Sequence, residues 1–154
     1  MKMIEGGVTA AQGFVAGGIH CGIRKNKSKP DLAMIYSEKP CAAAAVYTQN
    51  LVKGAPILVT RKNIADGAAK AVICNSGNAN TCNADGVEKA ERMCLLAAKE
   101  LGIPQEDVLV ASTRGYRPGA AHRAHRKFRG GPNVGSLQGG RHRRRGGHHD
   151  YRYR

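Results

Sequence analysis

The chain has 154 residues and a formal net charge of +14, which arises from 25 Lys and Arg residues against 11 Asp and Glu residues. Residues 1–113 carry 13 basic and 10 acidic side chains, whereas residues 114–154 carry 12 basic and one acidic. No apolar run approaches the roughly 20 residues that a membrane helix needs, so no helical membrane span is expected. Only the first part has enough apolar residues for a core. We predict one α/β domain over residues 1–113 and a disordered, basic Gly/Arg/His-rich tail over residues 114–154.

Short apolar runs bounded by Pro, Asn, Gly or charged residues predict the strands of a sheet, because most of them are rich in β-branched residues. The run Ala43–Tyr47 is ambiguous, since Ala prefers helix. In chain order the predicted strands are Phe14–Ile23, Leu32–Tyr36, Ala43–Tyr47, Ile57–Thr60, Ala71–Cys74 and Val108–Ala111.

One helix is predicted with a boundary at each end. Apolar residues recur at steps of three and four over residues 87–101, and charged residues occupy the other face. Gly102 ends this pattern. Asp85 and Glu88 have the spacing of a capping box, which predicts a side-chain hydrogen bond at the start of the helix.

These elements together predict the α/β fold class, with a mixed sheet and packed helices. A shorter helix over residues 61–70 is a weaker prediction, because Gly67 disfavours it. Residues 1–7 lack the uninterrupted apolar stretch of a secretion signal, so we expect a cytoplasmic protein.

The cysteines favour buried, reduced thiols over disulfides or a metal site. Their number is odd, and no two form a Cys-x-x-Cys pair. His20 beside Cys21 suggests a base and a nucleophile, but adjacent residues of a strand point to opposite faces. We therefore interpret Cys21 as a packed thiol, and we predict no metal and no bound cofactor. The five residues are Cys21, Cys41, Cys74, Cys82 and Cys94.

A segment rich in amide side chains joins a predicted strand to the predicted helix. Its sequence is Asn75-Ser76-Gly77-Asn78-Ala79-Asn80. Three amides and a hydroxyl offer donors to a polar ligand, which makes Asn75, Ser76, Asn78 and Asn80 candidate substrate-binding residues. Asn and Gly are also ordinary residues of turns, and a turn whose Asn side chains cap backbone groups is the favoured interpretation.

Ser112 and Thr113 lie where the last predicted strand ends. A hydroxyl at such a position is suited to donate a hydrogen bond to a developing oxyanion. Hydroxyl residues also end strands for purely local reasons, so the pair by itself is a weak indication of catalysis.

Several motifs, in their order and spacing, resemble the N-terminal part of the glutamate N-acetyltransferase/ornithine acetyltransferase family, a bifunctional enzyme of arginine biosynthesis. The resemblance covers roughly residues 4–113. Its motifs are Gly6-Gly7-Val8-Thr9-Ala10, Gly13-Phe14, Gly18-Ile19-His20-Cys21-Gly22-Ile23, Asp31-Leu32-Ala33, the Asn-rich segment of residues 75–80, and Val108-Leu109-Val110-Ala111-Ser112-Thr113.

The resemblance implies transfer of an acetyl group from N-acetylornithine to L-glutamate through an acetyl-threonine intermediate. Some members also use acetyl-CoA as a co-substrate. The family's precursor cuts itself into α and β chains that assemble as α2β2, and the new N-terminal Thr of the β chain is the nucleophile. Because this chain lacks that Thr, we predict that it is inactive alone.

The family's Ser-Thr-Gly-Val-Ile-Gly motif supplies an oxyanion hole from its Thr and the following Gly. In this chain Thr113 matches the Thr, whereas Arg114 stands where Gly is expected. The resemblance therefore implies catalytic oxyanion-hole positions at Thr113 and Arg114, with the second one altered.

The departure from the family at Arg114 has the form expected of a shifted reading frame. When the last two bases of each codon are joined to the first base of the next, residues 114–118 are compatible with Gly-Val-Ile-Gly, the missing continuation of the motif. Residues 147–154 are likewise compatible with Ala-Ile-Met-Thr-Thr-Asp-Thr, a string of the same family's α chain. We therefore predict a single-base frameshift, in the gene or in its sequencing, at the junction of Thr113 and Arg114.

Two other functions remain open from the residues. The basic tail would attract phosphates, so a nonspecific nucleic-acid-binding protein is the alternative, although no recognised RNA-binding signature accompanies the charge. A noncatalytic remnant that binds ornithine or glutamate without turnover is the third hypothesis. We expect no specific nucleic acid and no membrane as partners.

Overall fold

The computed structural model describes residues 6–113, which form a four-stranded mixed sheet with two packed helices. The predicted α/β fold class is confirmed. The predicted tail of residues 114–154 lies outside the described residues. Neither helix of the described part has the length and apolar character needed to cross a membrane. The elements in chain order are β1 (Phe14–Ile19), β2 (Leu32–Ala42), α1 (Ala55–Asn63), β3 (Ala68–Ser76), α2 (Gly86–Leu101), a short 3-10 turn (Gln105–Asp107) and β4 (Val108–Thr113).

The strands lie side by side in sequence order. The pairs β1/β2 and β2/β3 are antiparallel, whereas β3 and β4 are parallel. A parallel pair needs a crossover connection, and α2 provides it. The end of β1, the start of β2 and the ends of β3 and β4 therefore meet at one end of the sheet, where Ile19, Leu32, Asn75 and Ser112 are aligned across the four strands.

One face of the sheet packs against α2 and forms the core. Met34, Ile73 and Val110 are aligned across β2, β3 and β4, and each is at most 5% exposed. The small side chains on the facing surface of α2 allow close approach of the helix to the sheet. These helix residues, all buried, are Ala90, Cys94, Ala97 and Ala98.

The boundaries of α2 agree with the prediction at one end and differ at the other. Gly102 follows the helix in the left-handed conformation (φ 64°), as a helix-ending glycine commonly does. Asp85 occupies the N-cap position but makes no side-chain capping bond. Its Oδ2 instead lies 2.6 Å from Lys89 Nζ, so the predicted capping box is wrong.

Three predictions between β2 and β3 are wrong. The β-branched run Ile57–Thr60 is helical within α1, which begins with Pro56 in its first turn, where proline is well tolerated. The helix predicted over residues 61–70 ends instead at Asn63, and β3 begins at Ala68. The predicted strand Ala43–Tyr47 has no regular secondary structure.

Helix α1 covers the outer edge of β4. Thr60 Oγ1 donates a hydrogen bond to Val110 O (2.8 Å) and accepts one from Val110 N–H (3.1 Å). Asn63 Nδ2 donates to Val108 O (2.8 Å). Polar side chains of a helix thus satisfy backbone groups that would otherwise be available to a further strand.

None of the five cysteines, all within residues 6–113, forms a disulfide. Cys21 and Cys94 are buried as predicted, whereas Cys41 and Cys74 are partly buried and Cys82 is exposed, so the prediction of buried thiols is wrong for these three. Burial raises the pKa of Cys94 to about 12, with a smaller contribution from Glu91. Within residues 6–113, no group of three or more His, Cys, Asp or Glu side chains is arranged to hold a metal ion.

Candidate functional site

Thr113 is the last residue of β4 and has an exposed side chain. It is aligned with Ser76 at the end of β3, and its carbonyl accepts a hydrogen bond from the N–H of Gly77 (3.0 Å). The strand end that carries Thr113 is therefore tied to the Asn-rich segment of residues 75–80. Arg114, the other predicted oxyanion-hole position, lies outside the described residues.

Ser112 has different surroundings from Thr113, as alternation along a strand requires. Its hydroxyl is buried beside a cavity of about 270 Å³ that Tyr47 also lines. Within the described residues, neither Ser112 Oγ nor the Tyr47 hydroxyl has a hydrogen-bond partner. Sequence reasoning did not bring Tyr47 near this strand end, because residue 47 belongs to an irregular segment.

The amides of the Asn-rich segment hydrogen-bond to nearby backbone. Asn75 Nδ2 donates to Asn78 O (3.0 Å), and Asn80 Nδ2 donates to Gly86 O (2.8 Å). Asn75, Asn78 and Asn80 are each at most 5% exposed. These contacts are those of a turn whose side chains satisfy the backbone. A substrate-binding role of Asn75, Ser76, Asn78 and Asn80 stays a prediction.

Asp31 connects this segment to the turn that follows β1. Its carboxylate accepts the N–H of Cys21 (2.7 Å) and the N–H of Arg24 (2.8 Å), and its own carbonyl accepts the N–H of Ser76 (2.8 Å). Nδ1 of His20 lies 3.2 Å from Asp31 Oδ2. The sequence offered one indication, a carboxylate directly before an apolar strand, but it did not identify these partners.

The charged form of Asp31 is favoured by its partners. Burial acts to raise its pKa, but the hydrogen bonds from Arg24 N–H, Cys21 N–H and the Cys21 thiol, together with the charge of His20, outweigh burial and lower the pKa. Asp31 is therefore a buried carboxylate that stays ionised and holds the turn of residues 20–24.

The same environment makes Cys21 a poor nucleophile. Burial, and then the hydrogen bond and charge of Asp31, raise the pKa of the Cys21 thiol to about 12. A thiol, unlike a thiolate, is weakly nucleophilic. This agrees with the interpretation of Cys21 as a packed thiol.

Gly77 lies between the 20–24 turn and the end of β4. Its φ of +128° is a conformation that side-chain-bearing residues rarely adopt. A Cβ on residue 77 would lie 2.8 Å from Ile23 Cγ2 and 3.0 Å from Arg24 Cγ. The close approach of the turn, the Asn-rich segment and Thr113 thus requires glycine at this position.

Comparison with known proteins identifies the family. Residues 15–115 match the model of the ArgJ family. The chain belongs to the ArgJ family. It is 50% identical over 115 residues to the arginine biosynthesis bifunctional protein ArgJ of Symbiobacterium thermophilum, and 52% identical over 114 residues to that of Gloeobacter violaceus. These alignments cover 73% of this chain but only 29% and 28% of the relatives, so the chain spans less than a third of their length.

Solved ArgJ structures share the fold. The arginine biosynthesis bifunctional protein ArgJ of Bacillus halodurans has a TM-score of 0.68 and 38% identity, covering 79% of this chain and 66% of that one. Ornithine acetyltransferase of Mycobacterium tuberculosis, solved in complex with ornithine, has a TM-score of 0.68 and 33% identity, covering 84% of this chain and 74% of that one. The family resemblance noted from the motifs is confirmed.

Proposed function

We propose that this chain is the N-terminal segment of an ArgJ-type acetyltransferase of arginine biosynthesis, which transfers the acetyl group of N-acetylornithine to L-glutamate. The supporting observation is Thr113, whose exposed side chain stands at the end of β4 on backbone held by Gly77. A hydroxyl on a rigid strand end is suited to stabilise an oxyanion. Acetyl-CoA is a second acetyl donor in this proposal.

In this proposal the nucleophile of the reaction comes from the β chain. The N-terminal Thr hydroxyl of the β chain attacks the acetyl carbonyl, and its own α-amine accepts the proton. The hydroxyl of Thr113 donates to the resulting oxyanion. Collapse of the tetrahedral intermediate expels the ornithine amine, which takes up the proton, and leaves an acetyl ester. The amine of glutamate then attacks this ester, and its proton passes through the α-amine to the Thr oxygen as the ester C–O bond breaks, which forms N-acetylglutamate and restores the Thr hydroxyl.

Apolar groups left uncovered in residues 6–113 support a partner segment, which we identify with the β chain of the same precursor in an α2β2 assembly. Ile35, Val72 and Leu109 are aligned across β2, β3 and β4 and are only partly buried. Val46 and Leu51 are 98% and 95% exposed. A domain that buried these side chains against further chain would gain about 25 cal/mol for each Å² of apolar surface.

In this proposal residues 1–113 are the family segment and residues 114–154 are translated out of frame. The family match ends at residue 115, close to the junction of Thr113 and Arg114. Resequencing the gene across that junction tests the frameshift directly. An intact frame that still encodes Arg114 onward would contradict it.

The activity test uses a completed enzyme, in which residues 1–113 are joined to the part of the Symbiobacterium thermophilum relative that follows the residue aligned with Thr113. We expect N-acetylornithine-dependent acetylation of glutamate by the completed enzyme. The 154-residue chain should show none, even when the remainder is co-expressed with it. An inactive but folded completed enzyme would contradict the proposed function.

The role of Thr113 is tested in the same protein. Thr113→Ala should lower kcat on the order of 10²-fold or more, because it removes a donor to the oxyanion. Thr113→Ser keeps a hydroxyl and should retain most of the activity. Equal losses in the two variants would argue against an oxyanion role.

Three of the relatives reported above are named as arginine biosynthesis proteins and the fourth as an ornithine acetyltransferase, and none of them favours the nucleic-acid-binding alternative. If a specific RNA stays bound to the 154-residue chain at high salt, the nucleic-acid-binding function is favoured, because nonspecific electrostatic binding weakens with salt.

A further inference from the structure

We infer that Gly77 and Asp31 are positioning residues for Thr113, an inference that rests on the proposed function and extends it. Thr113 is the only one of the three that would touch the reacting atoms. Gly77 holds its backbone, and Asp31 fixes the surface against which Gly77 packs.

The N–H of Gly77 donates a hydrogen bond to Thr113 O (3.0 Å). This hydrogen bond holds the backbone from which the Thr113 side chain projects, so it limits where the Thr113 hydroxyl can lie.

Gly77 itself is packed closely against the turn of residues 20–24. A methyl group on residue 77 would meet Ile23 Cγ2 at 2.8 Å and Arg24 Cγ at 3.0 Å, and the backbone conformation (φ +128°) is one that L side chains rarely adopt. Any larger residue must move away from the turn of residues 20–24. That movement displaces the N–H that holds Thr113.

The turn of residues 20–24 is held in place by Asp31. The side chain of Asp31 is fully buried and accepts the N–H groups of Cys21 (2.7 Å) and Arg24 (2.8 Å), which bracket Ile23. The carbonyl of Asp31 also accepts the N–H of Ser76 (2.8 Å), the residue before Gly77. Asp31 thus holds both sides of the contact, the turn and the segment that packs on it.

Gly67 provides a matched control. It also has a positive φ (+77°), so alanine there introduces comparable backbone strain, but no atom lies within 4 Å of the added Cβ. It precedes β3, at the opposite end of that strand from Ser76. A change at Gly67 strains the chain without reaching Thr113.

The experiment measures steady-state kinetics of the completed enzyme with N-acetylornithine and glutamate. Gly77→Ala should lower kcat on the order of 10²-fold while KM stays within about twofold, because misplaced donors weaken transition-state stabilisation more than substrate binding. Asp31→Asn should lower kcat about 10-fold with the same KM pattern, since misplacement is smaller. Gly67→Ala should leave both constants within about twofold, since it lies away from the site.

A double-mutant cycle separates positioning from general stability. In the Thr113→Ala background, Gly77→Ala should cost less than about threefold in kcat, because residues that act as a unit are strongly non-additive. An equal loss with and without Thr113, or a loss no larger than that of Gly67→Ala, would overturn the inference.

A second measurement does not depend on activity. In the 154-residue chain, amide exchange followed by NMR should show a protected Gly77 N–H, and Asp31→Asn should accelerate its exchange at least about 10-fold, whereas Gly67→Ala should not. If the completed enzyme proves inactive but this pattern holds, the proposed function fails and the contact stands. If Asp31→Asn leaves Gly77 protected, the positioning inference fails whatever the activity.

Discussion

Replacing Thr60 with Val tests whether α1 stabilises the domain through the edge of β4. The hydroxyl of Thr60 donates to Val110 O (2.8 Å) and accepts from Val110 N–H (3.1 Å), and Val110 is 4% exposed. Val has nearly the same shape as Thr, so the change leaves two buried backbone groups without a partner. Each such group costs about 1–3 kcal/mol. We expect the free energy of unfolding to fall by about 2–4 kcal/mol, because the two losses partly share one site.

The assay is urea unfolding of the full chain, followed by circular dichroism, with Thr60→Ser as the control. Ser keeps the hydroxyl and loses one methyl group, which costs about 0.8 kcal/mol. With an m value of about 1–3 kcal/mol/M, the Val variant should unfold at a midpoint lower by about 0.7 M or more. If Thr60→Val is no more destabilising than Thr60→Ser, the two hydrogen bonds do not hold the edge as described.

Three further predictions concern pH, the core and the exposed segment. Burial raises the pKa of Cys94 to about 12, so its contribution to stability is present below the unfolded pKa of about 8.5 and is lost as pH rises toward 12. Cys94→Ala should therefore reduce the fall in unfolding free energy between pH 9 and 11 by roughly 1 kcal/mol per pH unit. An unchanged dependence of the unfolding free energy on pH, measured by denaturation curves, would contradict this. Ile73→Val should lower the free energy of unfolding, measured by thermal denaturation, by about 0.5–1.5 kcal/mol, because Ile73 is 1% exposed in the core. Leu51→Ser should change the free energy of unfolding of the 154-residue chain by less than about 0.5 kcal/mol, since Leu51 is 95% exposed, and a larger loss would mean that Leu51 is packed.

The sequence was most informative where one local pattern agreed with the tertiary fold. Helix α2 has an apolar stripe of period 3.6 and a glycine at its end, and both its presence and its C-terminal boundary were predicted. The run Ile57–Thr60 was misread because β-branched residues favour strands. In the structure this run belongs to α1, whose Thr60 and Asn63 side chains hydrogen-bond to Val110 and Val108, and no local pattern reveals such contacts between segments 45 to 50 residues apart.

The candidate site divides in the same way. The position of Thr113 at a strand end followed from the apolar run before it, and its proposed role followed from the family motif. The partners of Asp31 and Gly77 could not be predicted, because they join segments separated by 7 to 10 residues in one case and by 36 in the other. Glycine in an Asn-rich turn has many local explanations, and only the packing against Ile23 and Arg24 distinguishes this one.

Because α1 covers β4, the two edge strands of the sheet, β1 and β4, differ in how open they are to pairing with another strand. Along Val108–Val110, the Thr60 hydroxyl and the Asn63 amide of α1 bond the backbone groups that a further strand would otherwise pair with. A second copy of the chain therefore cannot easily add a strand at the β4 edge, and we expect strand addition at the β1 edge instead. Fibrils or swapped dimers of this chain, if they form, should be nucleated at Phe14–Ile19, and a proline introduced there should suppress them.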